Sequence, residues 1–181
     1  MKEFREGIIN LIYKGATSTK RTRIILTPLV GTIFLCIILL IIYISFYIDR
    51  FLGFPEFISK PYGIAISMPF LITGSSLWIW CAWIFFKTKG TPVPINPPPK
   101  LITDGPYAYT RNPMMTGVFM TLAGVGILLR SVSLTFIITP LFVFISIIEF
   151  KYIEEPELEK RFGKEYTEYK ERTPMIIPKI R

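Results

Sequence analysis

The sequence predicts an all-α, polytopic membrane helical bundle of about four spans, with a Pro-rich cytosolic loop and a cytosolic helical tail at the carboxyl end. Three observations carry that prediction. Apolar residues make up 51% of the 181, and they fall in continuous blocks rather than at amphipathic spacing. Residues 31–48 and 62–86 hold no charged side chain, and each stretch is close to the ~20 residues a helix needs to cross hydrocarbon. The basic residues gather at the ends of these blocks, where membrane topology places them.

The elements follow in order. Residues 1–23 read as a basic interfacial helix, with Phe4, Ile8, Ile9, Leu11 and Ile12 among lysines and arginines, a pattern suited to anionic lipid. The first span follows. It starts too late and runs too long for a cleaved signal, and it ends in Tyr, Asp and Arg rather than a small-residue cleavage site. The second span closes with Trp78, Trp80 and Trp83, which read as an interfacial aromatic belt. Between Gly90 and Lys100 the prolines forbid a helix and favour a stiff, extended path. Asn112-Pro113 then opens the third span, because Asn is a good N-cap and Pro is favoured at the first helical position. Gly117, Thr121, Gly124 and Leu128 share one face of that helix, with Gly126 nearby, and small residues there let another helix approach closely. The fourth span carries Pro140, whose kink alters packing without breaking the helix. From residue 149 onward acids and bases alternate at helical spacing, which reads mostly as a solvated face. Phe162, Tyr166 and Tyr169 are positioned to fold this tail back over the junction. One domain is expected overall, with residues 1–23 as interfacial segment, 24–148 as transmembrane bundle and 149–181 as a tail completing a site.

Charge sets the expected topology. The chain carries a net charge of +8, and the excess follows membrane topology rather than a nucleic-acid surface. Before the first span, six basic residues face two acidic ones; the connection over 49–61 is balanced; residues 87–112 hold four basic and one acidic. Positive segments stay in the cytoplasm, so both termini are expected there, with the tail following from a final hairpin. Cys36 and Cys81, apart in sequence and each inside an apolar run, read as small core residues. The chain has no histidine. That removes most zinc sites, every Ser-His or Cys-His nucleophile and histidine-held haem, and no metal site is expected.

Two polar constellations remain. Gly105-Pro-Tyr-Ala-Tyr-Thr-Arg111-Asn-Pro-Met-Met-Thr-Gly117 sets an arginine-bearing turn against the start of the third span. The amino end of that helix and Arg111 form an anion receptor; the bland alternative is an arginine snorkelling to lipid headgroups. Its counterpart, Glu154-Glu155-Pro-Glu-Leu158, lies just after the last apolar run. Together they read as the two jaws of a site for a charged small molecule at the membrane surface.

The string Thr-Pro-x-Pro-x-x-Pro-Pro, then Leu, then Gly-Pro-Tyr-x-x-x-Arg-Asn-Pro-Met-x-x-Gly resembles the isoprenylcysteine carboxyl methyltransferase and phospholipid methyltransferase group. So does the downstream Glu-Glu-x-x-Leu-x-x-x-Phe-Gly-x-x-Tyr-x-x-Tyr-x-x-Arg-x-Pro. The likeness covers about residues 91–178. Asn112 stands where carboxyl methyltransferases of the group usually carry histidine. The resemblance implies a helical membrane enzyme that binds S-adenosylmethionine between helix ends and tail. It further implies that Gly105, Tyr107, Arg111, Asn112, Pro113 and Gly117, with Glu154 and Glu155, line or shape the cofactor pocket.

On that reading, Arg111 and the helix amino end hold the cofactor carboxylate. Glu154 or Glu155 holds its amino group or ribose hydroxyls, and the other faces the acceptor. Tyr107, Tyr109 or a tail tyrosine offers a ring face to the sulfonium. Arg161 or Arg172 steers an anionic acceptor, or serves as surface charge. The acceptor is expected to be lipophilic, entering sideways from the bilayer. A carboxylate acceptor is already ionised at neutral pH, whereas an amine must first lose a proton to Glu154, Glu155 or water. Two rivals stand beside this reading: an NADPH-dependent membrane reductase of the steroid type, and a non-enzymatic lipid-binding scaffold.

Overall fold

A computed structural model describes residues 2–178. Among these residues there are seven α-helices: α1 (Lys2–Ala16), α2 (Lys20–Leu52), α3 (Lys60–Lys87), α4 (Pro113–Leu128), α5 (Thr139–Glu149), α6 (Glu155–Phe162) and α7 (Lys164–Arg172). A short 3₁₀ turn covers Gly105–Ala108, and no strand occurs among the described residues. Arg21–Leu52, Lys60–Lys87 and Ser133–Phe162 are each long and apolar enough to cross a membrane, and Pro113–Leu128 is a shorter apolar helix. The most apolar stretch of α2 has a mean hydropathy of 2.9 with nothing buried in protein, the character of a helix whose surroundings are lipid. That setting leaves Cys36 exposed, against the expectation of a core residue, while Cys81 is fully buried as expected.

The third long helix is not the simple span read from hydropathy. Wide π turns occupy Ser133–Ile138 and Phe150–Glu154, and each sits immediately before a proline-bearing α segment. The N–H of Thr139 reaches Leu134 O, and that of Glu155 reaches Phe150 O, one residue farther than in an α-helix. Pro140 and Pro156 follow directly. Proline lacks an N–H and its ring crowds the carbonyl four residues back; a widened turn relieves both without ending the helix. So the helix does not stop at residue 148. It carries the acidic residues onward to Phe162.

The helices divide between two compact units. One comprises Ile33–Ile79 and Met114–Ile145, and its packing rests on small residues. A Cβ on Gly117 would stand 2.7 Å from Gly74 O, and one on Gly74 would stand 2.8 Å from Gly117 O. The two helix backbones therefore touch here, as the glycine face of α4 predicted. At one end Asp49 accepts from the Ser133 N–H at 2.8 Å and from the Ser131 hydroxyl. Ser133 Oγ in turn donates to Ser45 O at 2.9 Å. Arg130 pairs with Glu56.

The other unit comprises Met1–Thr32, Trp80–Pro113 and Ser146–Arg181. Its Pro-rich segment is not the extended strut expected from composition. The Asn96 N–H donates to Val93 O at 3.0 Å and the Thr91 N–H to Asn96 O at 2.7 Å, so the chain doubles back. Any Cβ on Gly90 would lie 2.4 Å from Pro98 N, which is why the turn closes on glycine. Val93 lies against Gly31, and Ile95 against Gly15. The stiffness of the prolines thus fixes a compact loop on α1 and α2.

Candidate functional site

All the candidate site residues except Gly117 lie in the unit containing Trp80–Pro113 and Ser146–Arg181. The site begins at Gly105, whose φ of +61° places it in the left-handed region that glycine tolerates without strain. This sharp entry turns the chain into the 3₁₀ segment and buries Pro106 and Tyr107. The Tyr107 ring stacks on Phe85 at 5.6 Å, its carbonyl accepts from Tyr169 OH at 2.7 Å, and its phenol is hydrogen-bonded with Cys81. Burial holds the Tyr107 phenol far above its ordinary value.

The next residues are clamped by the carboxyl-terminal segment. The N–H groups of Arg111 and Asn112 donate to Pro174 O at 2.8 Å and Met175 O at 3.1 Å, and Thr110 Oγ1 donates to Met175 O at 2.8 Å. Asn112 Nδ2 reaches Met175 O at 3.4 Å. Pro113, fully buried, starts α4 where the sequence placed it. These long-range bonds hold the backbone from which the Arg111 side chain extends to α6.

There Arg111 Nη1 meets Glu155 Oε1 at 2.6 Å, the convergence of the two jaws that the sequence predicted. Glu155 is 3% exposed, and its second oxygen is held by Lys170 Nζ at 2.7 Å. Both oxygens of this carboxylate are therefore spoken for within the protein. Lys170 also bonds Glu159 at 2.9 Å, and these two acids hold the lysine's pKa above its ordinary value. Sequence reading overlooked Lys170, because in a tail of alternating charge nothing distinguishes it from solvated neighbours. Tyr166 receives a hydrogen bond from the Arg111 side chain. The hydroxyls of Tyr166 and Tyr169 are both shifted upward, chiefly by burial. Both rings are 2% exposed, so the tail does fold back on its tyrosines.

Glu154 is half-buried. Its charged neighbours are Glu149, Glu155, Glu157 and Arg161, and it makes no ion pair among the described residues. Glu157, expected on a solvated face, is only 3% exposed and stands 3.4 Å from Arg161 Nε. The π turn just before it shifts the register of this stretch relative to an unbroken α-helix. Arg161 also lies over the Phe162 ring at 4.6 Å. Gly117 belongs to the other unit, where it serves the close approach to Gly74. Tyr109 is exposed.

Charge and burial limit what this arrangement can hold. Arg111 Nε is buried with no acceptor among the described residues, a donor that normally has a partner. Beside it stands a surplus of carboxylates. A ligand bearing both an anionic and a cationic group fits that set: a carboxylate for the open guanidinium donor, and an ammonium or hydroxyl groups for Glu154. The amino-acid end of S-adenosylmethionine has this chemistry.

The phospholipid methyltransferase family matches residues 62–165. The nickel-cobalt-cadmium resistance protein NccN of Alcaligenes xylosoxydans xylosoxydans is 28% identical over 102 residues, 56% of this chain and 43% of that protein. The protein-S-isoprenylcysteine O-methyltransferase of Schizosaccharomyces pombe (strain 972 / ATCC 24843) is 36% identical over 86 residues, 44% of this chain and 34% of that protein. The chain thus spans less than half the length of either relative. No solved structure matches it significantly. With its apolar helices and a match over more than half its length, the chain belongs to the phospholipid methyltransferase family.

Proposed function

We propose that this chain is an integral-membrane methyltransferase that moves a methyl group from S-adenosylmethionine to a lipophilic acceptor at the cytosolic membrane face. The observation that carries the reading is the 2.6 Å meeting of Arg111 with Glu155, together with the buried, acceptor-less Arg111 Nε beside it. Membership of the family supports it, as does the name of the fission yeast relative. The distribution of basic residues supports cytoplasmic termini.

Bound here, S-adenosylmethionine supplies a methyl on a sulfonium, an electrophilic carbon needing only alignment with a nucleophile. The protein's share is positioning and exclusion of water. Arg111, oriented by Glu155, donates from Nε to the ligand carboxylate. Lys170, 2.7 Å from the second oxygen, holds Glu155 in place. Glu154 accepts from the ligand's amino group or ribose hydroxyls, or takes the proton that an amine acceptor must lose. Arg161, 3.4 Å from Glu157, steers an anionic headgroup toward the acids. The tail, residues 149–181, completes the site through Tyr169 and the Pro174–Met175 carbonyls. The acceptor carries a carboxylate or an amine on a lipid tail: the relative's name favours oxygen and the family's name a phospholipid headgroup.

Isothermal titration of the detergent-solubilised protein with S-adenosylmethionine tests this. Saturable heat is expected from the wild type, and none from Arg111→Ala or Glu155→Ala at equal membrane insertion. Wild-type affinity in both variants, or binding of NADPH instead of S-adenosylmethionine, refutes the reading.

A further inference from the structure

Helix α1 lies outside the family-matched residues 62–165, yet it packs directly on the segment that bears the acids. It contacts both α6 and the Phe150–Glu154 π turn. The buried side of α1 is built from Ile9 and Ala16, at 9% and 8% exposure. Two contacts of one side chain tie the pair: Lys160 Nζ donates to Asn10 Oδ1 at 2.7 Å and stands 4.5 Å above the Tyr13 ring. So α1 covers the outer side of the acidic helix.

The rest of α1 is not covered. Phe4 is 76% exposed and Leu11 71%. Seven residues are two helical turns, so the two side chains share one flank, with half-exposed Ile8 between them. Glu3, Glu6 and Asn10 form a separate exposed polar flank. A large aromatic and a leucine left in water would be an unexplained cost; at a bilayer surface each is stabilised.

Chain geometry selects the bilayer as the occupant. Only residues 17–19 separate α1 from α2, and three residues reach at most about 11 Å. The membrane-crossing stretch of α2 begins at Arg21, so α1 is held at headgroup depth. The charge agrees, with six basic residues against two acidic ones in residues 1–23. Lys14 and Arg21 are among those exposed, and basic side chains at this depth favour anionic lipid.

We infer that α1 is an interfacial lid, seated by Phe4 and Leu11 in an anionic bilayer surface while its Ile9–Ala16 side covers the acidic helix. The inference rests on α2 crossing a membrane and not on the identity of the ligand. Lipid packing beneath α1 therefore sets how firmly residues 150–162 are covered.

Nitroxide labels test the seating in full-length protein reconstituted in equal parts phosphatidylcholine and phosphatidylglycerol. Labels go on Phe4→Cys, Leu11→Cys and Glu6→Cys, each with Cys36→Ser; buried Cys81 stays. Oxygen should relax the labels at positions 4 and 11 preferentially, and a water-soluble nickel chelate the label at 6. Phosphatidylcholine alone should shift 4 and 11 toward the chelate. In a second measurement, Phe4→Ser with Leu11→Ser should speed amide hydrogen exchange across residues 150–162. Equal chelate access at all three positions overturns the inference. Shielding of 4 and 11 from both reagents, as a second copy would cause, also overturns it. Lipid-independent depth or unchanged exchange does the same. None of these readouts requires methyl donor, so they stand or fall apart from the proposed activity.

Discussion

Replacing Arg111 with methionine should cost far more than removing an exposed arginine, and a second substitution should restore most of the loss. In the wild type, Glu155 is 3% exposed, with Arg111 at 2.6 Å on one oxygen and Lys170 at 2.7 Å on the other. Removing one partner of a buried ion pair typically costs about 3–5 kcal/mol, because the remaining charge keeps its desolvation penalty. Lys170 remains, but its side chain is 37% exposed, and solvent-screened pairs are worth only about 0–1 kcal/mol. The expected cost of Arg111→Met is thus the low end, about 3 kcal/mol. For a chain of this size that lowers the apparent Tm by roughly 6–12 °C. Arg111→Met with Glu155→Leu removes both charges and should lie within about 1 kcal/mol of wild type, since apolar replacement of a whole pair is often neutral. Cys81 is fully buried, so with Cys36→Ser a thiol-reactive fluorogenic dye reports unfolding of the surrounding structure. The double variant should be folded and yet give no heat with S-adenosylmethionine, separating the structural from the ligand-holding role of the pair. Additive losses in the two single variants and the double, or an unchanged Tm in Arg111→Met, refute the reasoning.

Other outcomes follow from the same structure. Gly117→Ala forces a Cβ to within 2.7 Å of Gly74 O and 3.0 Å of Trp78 N; it should cost about 1–3 kcal/mol, read as a lower apparent Tm. Asp49→Ala strands the Ser133 N–H that it accepts at 2.8 Å, and should destabilise by about 1–2 kcal/mol without altering binding of S-adenosylmethionine. Burial raises the Tyr107, Tyr166 and Tyr169 phenols above their ordinary value of 10.0. A raised folded value favours the neutral phenol, so this stabilisation is whole below pH 10 and falls as pH climbs from the unfolded value toward the folded one. Absorbance at alkaline pH should therefore show exposed tyrosines ionising first and these three only with unfolding; one common step for all nine tyrosines would contradict it.

Much of the molecule was legible without coordinates, because hydropathy and helix-start chemistry are local. Block hydrophobicity marks the long apolar helices, Asn112-Pro113 marks the beginning of α4, and the glycine face of α4 announces a close helix contact. The identities of the two ionic jaws were readable too, since each sits at the edge of an apolar run. Tertiary structure decided what those residues do to one another. Only the fold shows that Glu155 is held on both oxygens, that Lys170 is one of the holders, and that Glu154 makes no ion pair among the described residues. The doubling back of the Pro-rich loop, the burial of Glu157 and the cover of α1 over the acidic helix belong to the same class. A charge pattern is the same string whether it faces water or another element. Whether a carboxylate keeps its hydration or trades it for a guanidinium depends on contacts between distant parts of the chain, and on helix rotations set by π turns that hydropathy does not register.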